Sequence, residues 1–150
     1  MNKTIIKTGS IADYRSDIEA IRITVFVHEQ KVPIEVEMDD RDTLCIHALA
    51  WVGSTAVATG RIDLEDGGKI GRIAVLADYR RQGLGKAVME TLEQIARDNG
   101  MTEVWLHAQL SALPFYEELG YQAQGEEFYE AGIPHLTMNK SLGSPSCTRP

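Results

Sequence analysis

A run with strand character, Lys69 to Leu76, is followed by the basic stretch Arg80-Arg81-Gln82-Gly83-Leu84-Gly85-Lys86 and then by helical periodicity from Lys86 to Asn99. This order constrains the fold more than any total does. It sets a strand and a helix side by side, joined by a turn whose backbone amides converge at a helix N-terminus. Such a turn is an anion site. Gly83 and Gly85 let a ligand approach the backbone without a Cβ in the way, and Arg80, Arg81 and Lys86 add positive charge. Phosphate is the guest that suits it.

Upstream, Lys3 to Thr8 is a β-branched run ending at Gly9, and Ser10 can cap a helix with Asp13 at its N3 position. Ile11, Tyr14, Ile18, Ile21 and Val25 recur at helical steps and form one buried stripe. Glu29, four residues after Val25, falls on that stripe, an odd place for a charge. Residues 30–44 carry Pro33 and the acids Glu35, Glu37, Asp39, Asp40 and Asp42, and read as a loop or a broken short helix. Cys45 to Val52, Thr55 to Leu64 and Lys69 to Leu76, separated by Gly53-Ser54 and Gly67-Gly68, read as an antiparallel meander. Downstream, Glu103 to Gln109 is a strand, Ser111 caps a short helix through Leu119, and Gly120 ends it. Tyr121 to Tyr129 and Leu136 to Lys140 read as two strands around Gly132-Ile133-Pro134-His135.

A chain of 150 residues, 43% hydrophobic and 25% charged, fits one domain, expected over residues 1–142, with a Ser/Pro-rich tail over 143–150. The net charge of -7 argues against a nucleic-acid surface and suits a cationic or neutral partner. No apolar run approaches the roughly 20 residues of a membrane span, and no signal-peptide core stands at the N-terminus, so the protein is expected to be soluble and cytoplasmic. Cys45 reads as core, and with Cys147 it gives neither a disulfide framework nor a zinc spacing. His28-Glu29-Gln30-Lys31-Val32 lacks the second histidine of a zinc-binding H-E-x-x-H, and His47 and His107 have no ligand spacing, so no metal is expected and both histidines read as structural.

The turn has the form [R/Q]-x-x-G-x-[G/A], preceded by Gly71-Arg72-Ile73-Ala74-Val75 and followed by Phe115-Tyr116-Glu117-Glu118-Leu119-Gly120-Tyr121. In these three segments, over about residues 3–140, the chain resembles the GNAT superfamily of N-acetyltransferases. Val25-Phe26-Val27-His28-Glu29-Gln30 and Phe128-Tyr129-Glu130-Ala131-Gly132-Ile133-Pro134-His135 look like its ElaA-type branch. The resemblance implies an α/β (α+β) fold, a mixed central sheet of about six to seven strands flanked by about four helices. It implies acetyl-CoA as acetyl donor and an amine as acceptor. The backbone of Ile73, Ala74 and Val75 would pair with the pantetheine arm, and the amides of Arg81, Gln82, Gly83, Leu84, Gly85 and Lys86 would hold the pyrophosphate, with Arg80 and Arg81 adding charge-assisted bonds. In that family the last two strands often join a dimer, so a homodimer is among the assemblies implied.

Acetyl transfer to an amine requires a neutral nucleophile, a polarised thioester and a proton or hydrogen bond for the departing thiolate. An alkyl ammonium of pKa about 10.4 is deprotonated in only about one molecule in 2,500 at pH 7, equivalent to roughly 4.6 kcal/mol. For the leaving group the resemblance points to Tyr116. For the base, Glu29 is the first candidate, since its place on an apolar stripe predicts partial burial and a raised pKa. Glu37, Asp39 and Asp42 form an E-x-D-x-x-D pattern that could gather a cationic acceptor, and His135 could shuttle a proton. Gln109 stands where many relatives have asparagine seven residues ahead of the tyrosine.

Two alternatives stay open at this point. A CoA-binding module without catalysis would keep residues 73 to 86. The 22-to-42 region, with Arg22, Phe26, Glu37, Asp39 and Asp42, is also similar to the front half of N-acyl-homoserine-lactone synthases, which would use an acyl donor and S-adenosylmethionine.

Overall fold

The antiparallel meander forms, and it is the centre of a larger sheet. A computed structural model of the chain describes residues 3–37 and 39–143. The strands are β1 (Thr4–Gly9), β2 (Ile46–Val52), β3 (Thr55–Asp63), β4 (Lys69–Val75), β5 (Glu103–Gln109), β6 (Gln122–Glu130) and β7 (Ile133–Ser141), ordered β1-β2-β3-β4-β5-β7-β6 across one seven-stranded sheet. Every neighbouring pair is antiparallel except β4 with β5. The tail expected from residue 143, and Cys147 within it, lie from residue 144 on outside the described residues.

Helices cover both faces. Helix α1 (Ile11–Arg22) starts at Ser10 with the full reciprocal cap: the Ser10 hydroxyl accepts from the Asp13 amide, and the Asp13 carboxylate accepts from the Ser10 amide. Its stripe of Ile11, Ile18 and Ile21, continued by Val25, packs with Leu49 of β2 and Ala74 of β4. Ala48 and Ala50, which alternate with Leu49, face the other way, into the core under helix α3 (Leu84–Asp98). There Leu84, Val88, Met89, Leu92 and Ala96 are buried, and each large apolar side chain so removed from water contributes about 1.5–3 kcal/mol. Two short helices complete the set, α2 (Ile34–Glu37) and α4 (Leu113–Glu118), the latter with Pro114 in its first turn as expected. Among the described residues no helix is long and apolar enough to cross a membrane. Cys45 is buried as expected, and burial pushes its thiol up to about 11.

Ala112, and not Ser111, is the N-cap of α4, with no side-chain bond, and several strand ends shift by one residue; three further differences have a local reason. The helix after the basic turn begins at Leu84, inside the glycine stretch, because Gly83 itself is the N-cap. The last strand begins at Ile133 instead of Leu136, since Ala131 (φ 51) and Gly132 (φ 76) make a two-residue turn with both central residues left-handed. Beyond Arg22, α1 passes into a π-helix, Ile23–Glu29. In that wider turn the amide of Gln30 donates to the carbonyl of Val25, so the residue above Val25 is Gln30 and not Glu29.

Candidate active site

A cleft opens in the sheet because β4 and β5 pair over only two positions, Lys69 with Trp105 and Ile70 with Leu106, and then separate. The cause lies in β4. Ala74 pairs with Thr59 and Gly71 with Arg61, so Arg72 and Ile73 stand opposite the single residue Gly60. This bulge bends the strand and places Arg72 at φ 53, a left-handed conformation that costs a side-chain-bearing residue roughly 1–2 kcal/mol. The resulting cleft, about 430 Å³, has Gly71, Arg72 and Ile73 on the β4 side, His107 and Gln109 on the β5 side, and Tyr116 among its walls.

At one end of β4 lies the basic turn. Ala87 is the first residue whose amide bonds within α3, to the carbonyl of Gly83, and no side chain caps the helix, so the amides of Gly83, Leu84, Gly85 and Lys86 face outward from its N-terminus. Gly83 has φ 83 and nothing within 4 Å of a built Cβ. Gly85 is different: its Cβ would lie 3.2 Å from the Phe115 ring, so this glycine also lets α4 pack against the turn. Arg81, at φ 64, Gln82 and Lys86 are exposed, whereas the Leu84 side chain belongs to the core.

Arg80 does not stand ready for a phosphate. Its guanidinium donates to the Val75 carbonyl (2.8 Å) and to Glu29 Oε1 (2.7 Å). The partial burial expected of Glu29 is absent for the same reason. The π-turn carries Glu29 outward to this exposed ion pair, and Gln30 lines the cleft in its place, its side-chain oxygen accepting from Gln109 Nε2 at 2.7 Å. Gln109 thus ties β5 to the end of the π-helix.

Tyr116 is 9% exposed and packs edge-on against Phe115 and Tyr121. Burial alone pushes its phenol up to about 12. Its hydroxyl has no hydrogen-bond partner among the described residues, and the residue is part of the cleft lining. Beneath it, Tyr121 donates to the buried carboxylate of Glu93 at 2.7 Å, and Lys140 pairs with the same carboxylate at 3.0 Å. These contacts fix α4 on α3 and β7.

The acidic segment 37 to 42 is not an open anionic mouth. Glu37, 3% exposed, is paired with Arg22 and with Arg72 (3.2 Å); Asp42 with Arg22 and Arg61 (both 2.7 Å); and Asp39 with Arg61 (2.8 Å) and Arg72 (3.1 Å). Three carboxylates therefore meet three guanidiniums, and the charge cancels. Burial pushes the Glu37 carboxyl up against the pull of Arg22 and Arg72. At Asp39 burial pushes the same way, but the bonds and charge of Arg61, with Arg72, outweigh it and hold the carboxyl at about 2. The network reaches the bulge through Arg72, whose Nε also donates to the Glu37 carbonyl at 3.2 Å. Sequence reasoning missed these partners although a signal exists: Arg22 lies four residues after Ile18 and three before Val25, on the same apolar stripe that singled out Glu29.

The third wall belongs to β5, β7 and β6. Register sets Gln109 opposite His135 and His135 opposite Phe128, and so brings His107, Gln109, Phe128, Glu130 and His135 to one face. His135, 7% exposed, has Nδ1 2.7 Å from the Ile133 carbonyl; His107 Nδ1 lies 2.9 Å from Glu130 Oε2. The described residues hold no group of three or more His, Cys, Asp or Glu side chains placed to bind a metal ion.

Comparison with known proteins agrees with this architecture. Residues 14–142 match the family model described as Acetyltransferase (GNAT) domain. The chain is 43% identical over 122 residues to an uncharacterised N-acetyltransferase of Bacillus subtilis (strain 168), YjcF, covering 80% of this chain and 87% of that one. Among solved structures it superposes on an acyl-CoA N-acyltransferase from Pseudomonas aeruginosa with a TM-score of 0.81 at 30% identity, covering 92% of this chain and 99% of the other. Escherichia coli ElaA gives the same TM-score, 0.81, and the same coverage, 92% and 99%, at 27% identity. With its splayed β4–β5 pair, its glycine turn at the head of α3 and this match over most of its length, the chain belongs to the GNAT acetyltransferase family.

Proposed function

We propose that the protein moves the acetyl group of acetyl-CoA to a primary amine by direct attack, with Tyr116 assisting the thiolate that leaves. The observation that carries this reading is the buried Tyr116 phenol, without a hydrogen-bond partner among the described residues, in the wall of a cleft whose opposite side is the stretch of β4 beyond Ile70 that β5 does not pair. Ile73, Ala74 and Val75 bind the pantetheine arm by main-chain pairing. The amides of Gly83 to Lys86 take the pyrophosphate, helped by Arg81 and Lys86. Arg80 bonds the Val75 carbonyl and so closes the far end of the β4 edge that β5 leaves unpaired. A helix N-terminus favours an anion by about 0.3–1 kcal/mol when exposed and up to about 2 kcal/mol when partly buried, so the charged side chains are needed as well.

Tyr116 acts as a hydrogen-bond donor and not as a full acid. With its phenol near 12, transfer of the proton to a thiolate of pKa about 8.5 is uphill by about 5 kcal/mol. Donation without transfer stabilises the thiolate, and water then supplies the proton that makes it the free thiol. Gln109 and His135 line the acceptor end, while Glu37 and Asp39 shape it through Arg72 and not as free charges.

The test is release of free CoA thiol from acetyl-CoA with putrescine, glucosamine and a lysine peptide, together with calorimetry of acetyl-CoA binding. Tyr116→Phe is expected to lower kcat about 10- to 100-fold, the loss of one hydrogen bond to a charged group at 1.5–3 kcal/mol, with donor affinity unchanged. Unaltered turnover rejects the role given to Tyr116. Tight acetyl-CoA binding with no turnover of any amine favours a non-catalytic binding module.

A further inference from the structure

We propose that His107 is the proton acceptor for the incoming amine, that Glu130 is its positioning residue, and that the acceptor is a small primary ammonium bound on the β5–β7–β6 wall. This deepens the acetyltransferase reading above and rests on it.

Hydrogen-bond chemistry fixes the tautomer. A carboxylate can only accept, so the 2.9 Å contact with Glu130 Oε2 places the His107 proton on Nδ1 and leaves Nε2, in the neutral ring, as a lone-pair acceptor. The pairing is that of a carboxylate behind a catalytic imidazole, where the carboxylate orients the ring and stabilises the imidazolium once it forms. Nε2 of His107 has no protein partner among the described residues, and the ring lines the cleft. His135 is oriented in the same sense: its Nδ1 donates to the Ile133 carbonyl, and its Nε2 lies 3.9 Å from Glu130 Oε1. Phe128 packs against both rings, at 4.8 Å from His107 and 5.9 Å from His135, and limits their rotation.

Of the carboxylates that line the cleft, Glu130 and Asp66 have no ion pair with an arginine or lysine among the described residues, and Glu130 is the one held against His107. Glu37 and Asp39 are matched by arginines, and Asp63 is paired with Arg41 at 2.7 Å. Among the described residues Glu130 pairs with imidazoles alone, so while His107 is neutral the pair carries one negative charge at the cleft wall. The hairpin end holds it there, since Glu130 pairs with Ile133 across the Ala131–Gly132 turn. The other charged and titratable groups around this wall are His135 from β7, Lys69 and Arg72 from β4, and Asp66 from the turn before β4.

In the step, the ammonium gives one proton to His107 Nε2, and the neutral nitrogen attacks the thioester carbonyl carbon. The C–N bond forms and the C–S bond breaks. The second nitrogen proton goes to the departing thiolate by way of water, while His107 returns its proton to solvent. Amide, free thiol and one released proton balance the donor and the ammonium.

The experiment measures kcat/KM between pH 5.5 and 9.5 with whichever of putrescine, glucosamine and lysine peptide turns over, and follows the imidazole titrations by NMR. His107→Gln is expected to lower kcat/KM at pH 7 about 100-fold, to abolish the acidic limb belonging to the base, and to leave acetyl-CoA affinity unchanged. Glu130→Gln replaces an obligate acceptor with an amide that can also donate to Nδ1, so the ring loses its fixed tautomer; kcat/KM at pH 7 should fall about tenfold with acetyl-CoA affinity unchanged, and Glu130→Asp should restore part of it, a rescue that a merely structural contact would not show. Turnover that keeps the original acidic limb in His107→Gln overturns this inference and leaves the acetyltransferase reading intact. Equal kcat/KM in Glu130→Gln and the unaltered protein overturns the positioning role. No turnover by the unaltered protein overturns both readings.

Discussion

The two sides of the cleft, which the proposed function assigns to donor and acceptor, are made of different material. On the donor side the groups that matter are backbone: the unpaired length of β4 and four amides at the head of α3, spaced by Gly83 and Gly85 within one continuous stretch of chain. On the acceptor side they are side chains drawn from distant segments. Arg22 meets Glu37 and Asp42, Arg72 reaches back to the acidic segment, and His107 meets Glu130 across β7. A backbone site needs only local conformation and small residues, so one motif can encode it. A side-chain site needs the fold first, because its partners are adjacent only after the sheet has formed.

That contrast can be broken most sharply at Arg22. Arg22→Met leaves Glu37 and Asp42 buried with one partner fewer, and the expected loss is about 3–5 kcal/mol of stability. At roughly 2–4 °C for each kcal/mol in a domain of this size, Tm should fall by roughly 6–20 °C in a calorimetric scan. A fall of no more than a degree or two would show that the arginine network is dispensable to the fold.

A smaller effect, confined to the other side, is expected of Gly83→Asp. Its left-handed backbone strains any side chain, and a carboxylate at the helix N-terminus repels a second anion. Acetyl-CoA affinity should drop at least about tenfold, or 1.4 kcal/mol, in calorimetry, with only a few degrees of change in Tm. Equal affinity in the variant would remove the pyrophosphate from this turn.

The smallest effect concerns acid. Asp39 is held at about 2 in the folded chain against an ordinary value near 3.8, so it contributes stability that is complete above 3.8 and lost as pH falls through about 2. Denaturant melts repeated from pH 5 to pH 2 should therefore decline less steeply for Asp39→Asn than for the unaltered protein. Identical slopes would mean that Asp39 is no better paired folded than unfolded. Burial pushes Glu37 the opposite way, so it adds nothing to this decline.

The two sides also differ in how far they could be read in advance. The meander, the capped α1, the glycine turn and the Tyr116 helix were legible because each rests on periodicity or turn chemistry within some ten residues. Glu29 was misplaced because the stripe assumed a helix of constant pitch, and the π-turn at Ile23–Glu29 advanced the register by one residue. Arg80, expected at a phosphate, instead closes on Val75 and Glu29, which lies 51 residues away in the chain. His107, an ordinary strand histidine by spacing, gains a carboxylate partner 23 residues away through the register of β5, β7 and β6.

By itself, then, the sequence determined the order of strands and helices, the glycine turn at the head of α3 and the tyrosine helix packed against it, since local sterics and hydrogen bonding set these. Only the tertiary structure decided which charges cancel and which stay available. A buried ion pair depends on the distance between groups far apart in the chain, and that distance exists once the bulged β4, the hairpin β6–β7 and α1 are packed on a single sheet.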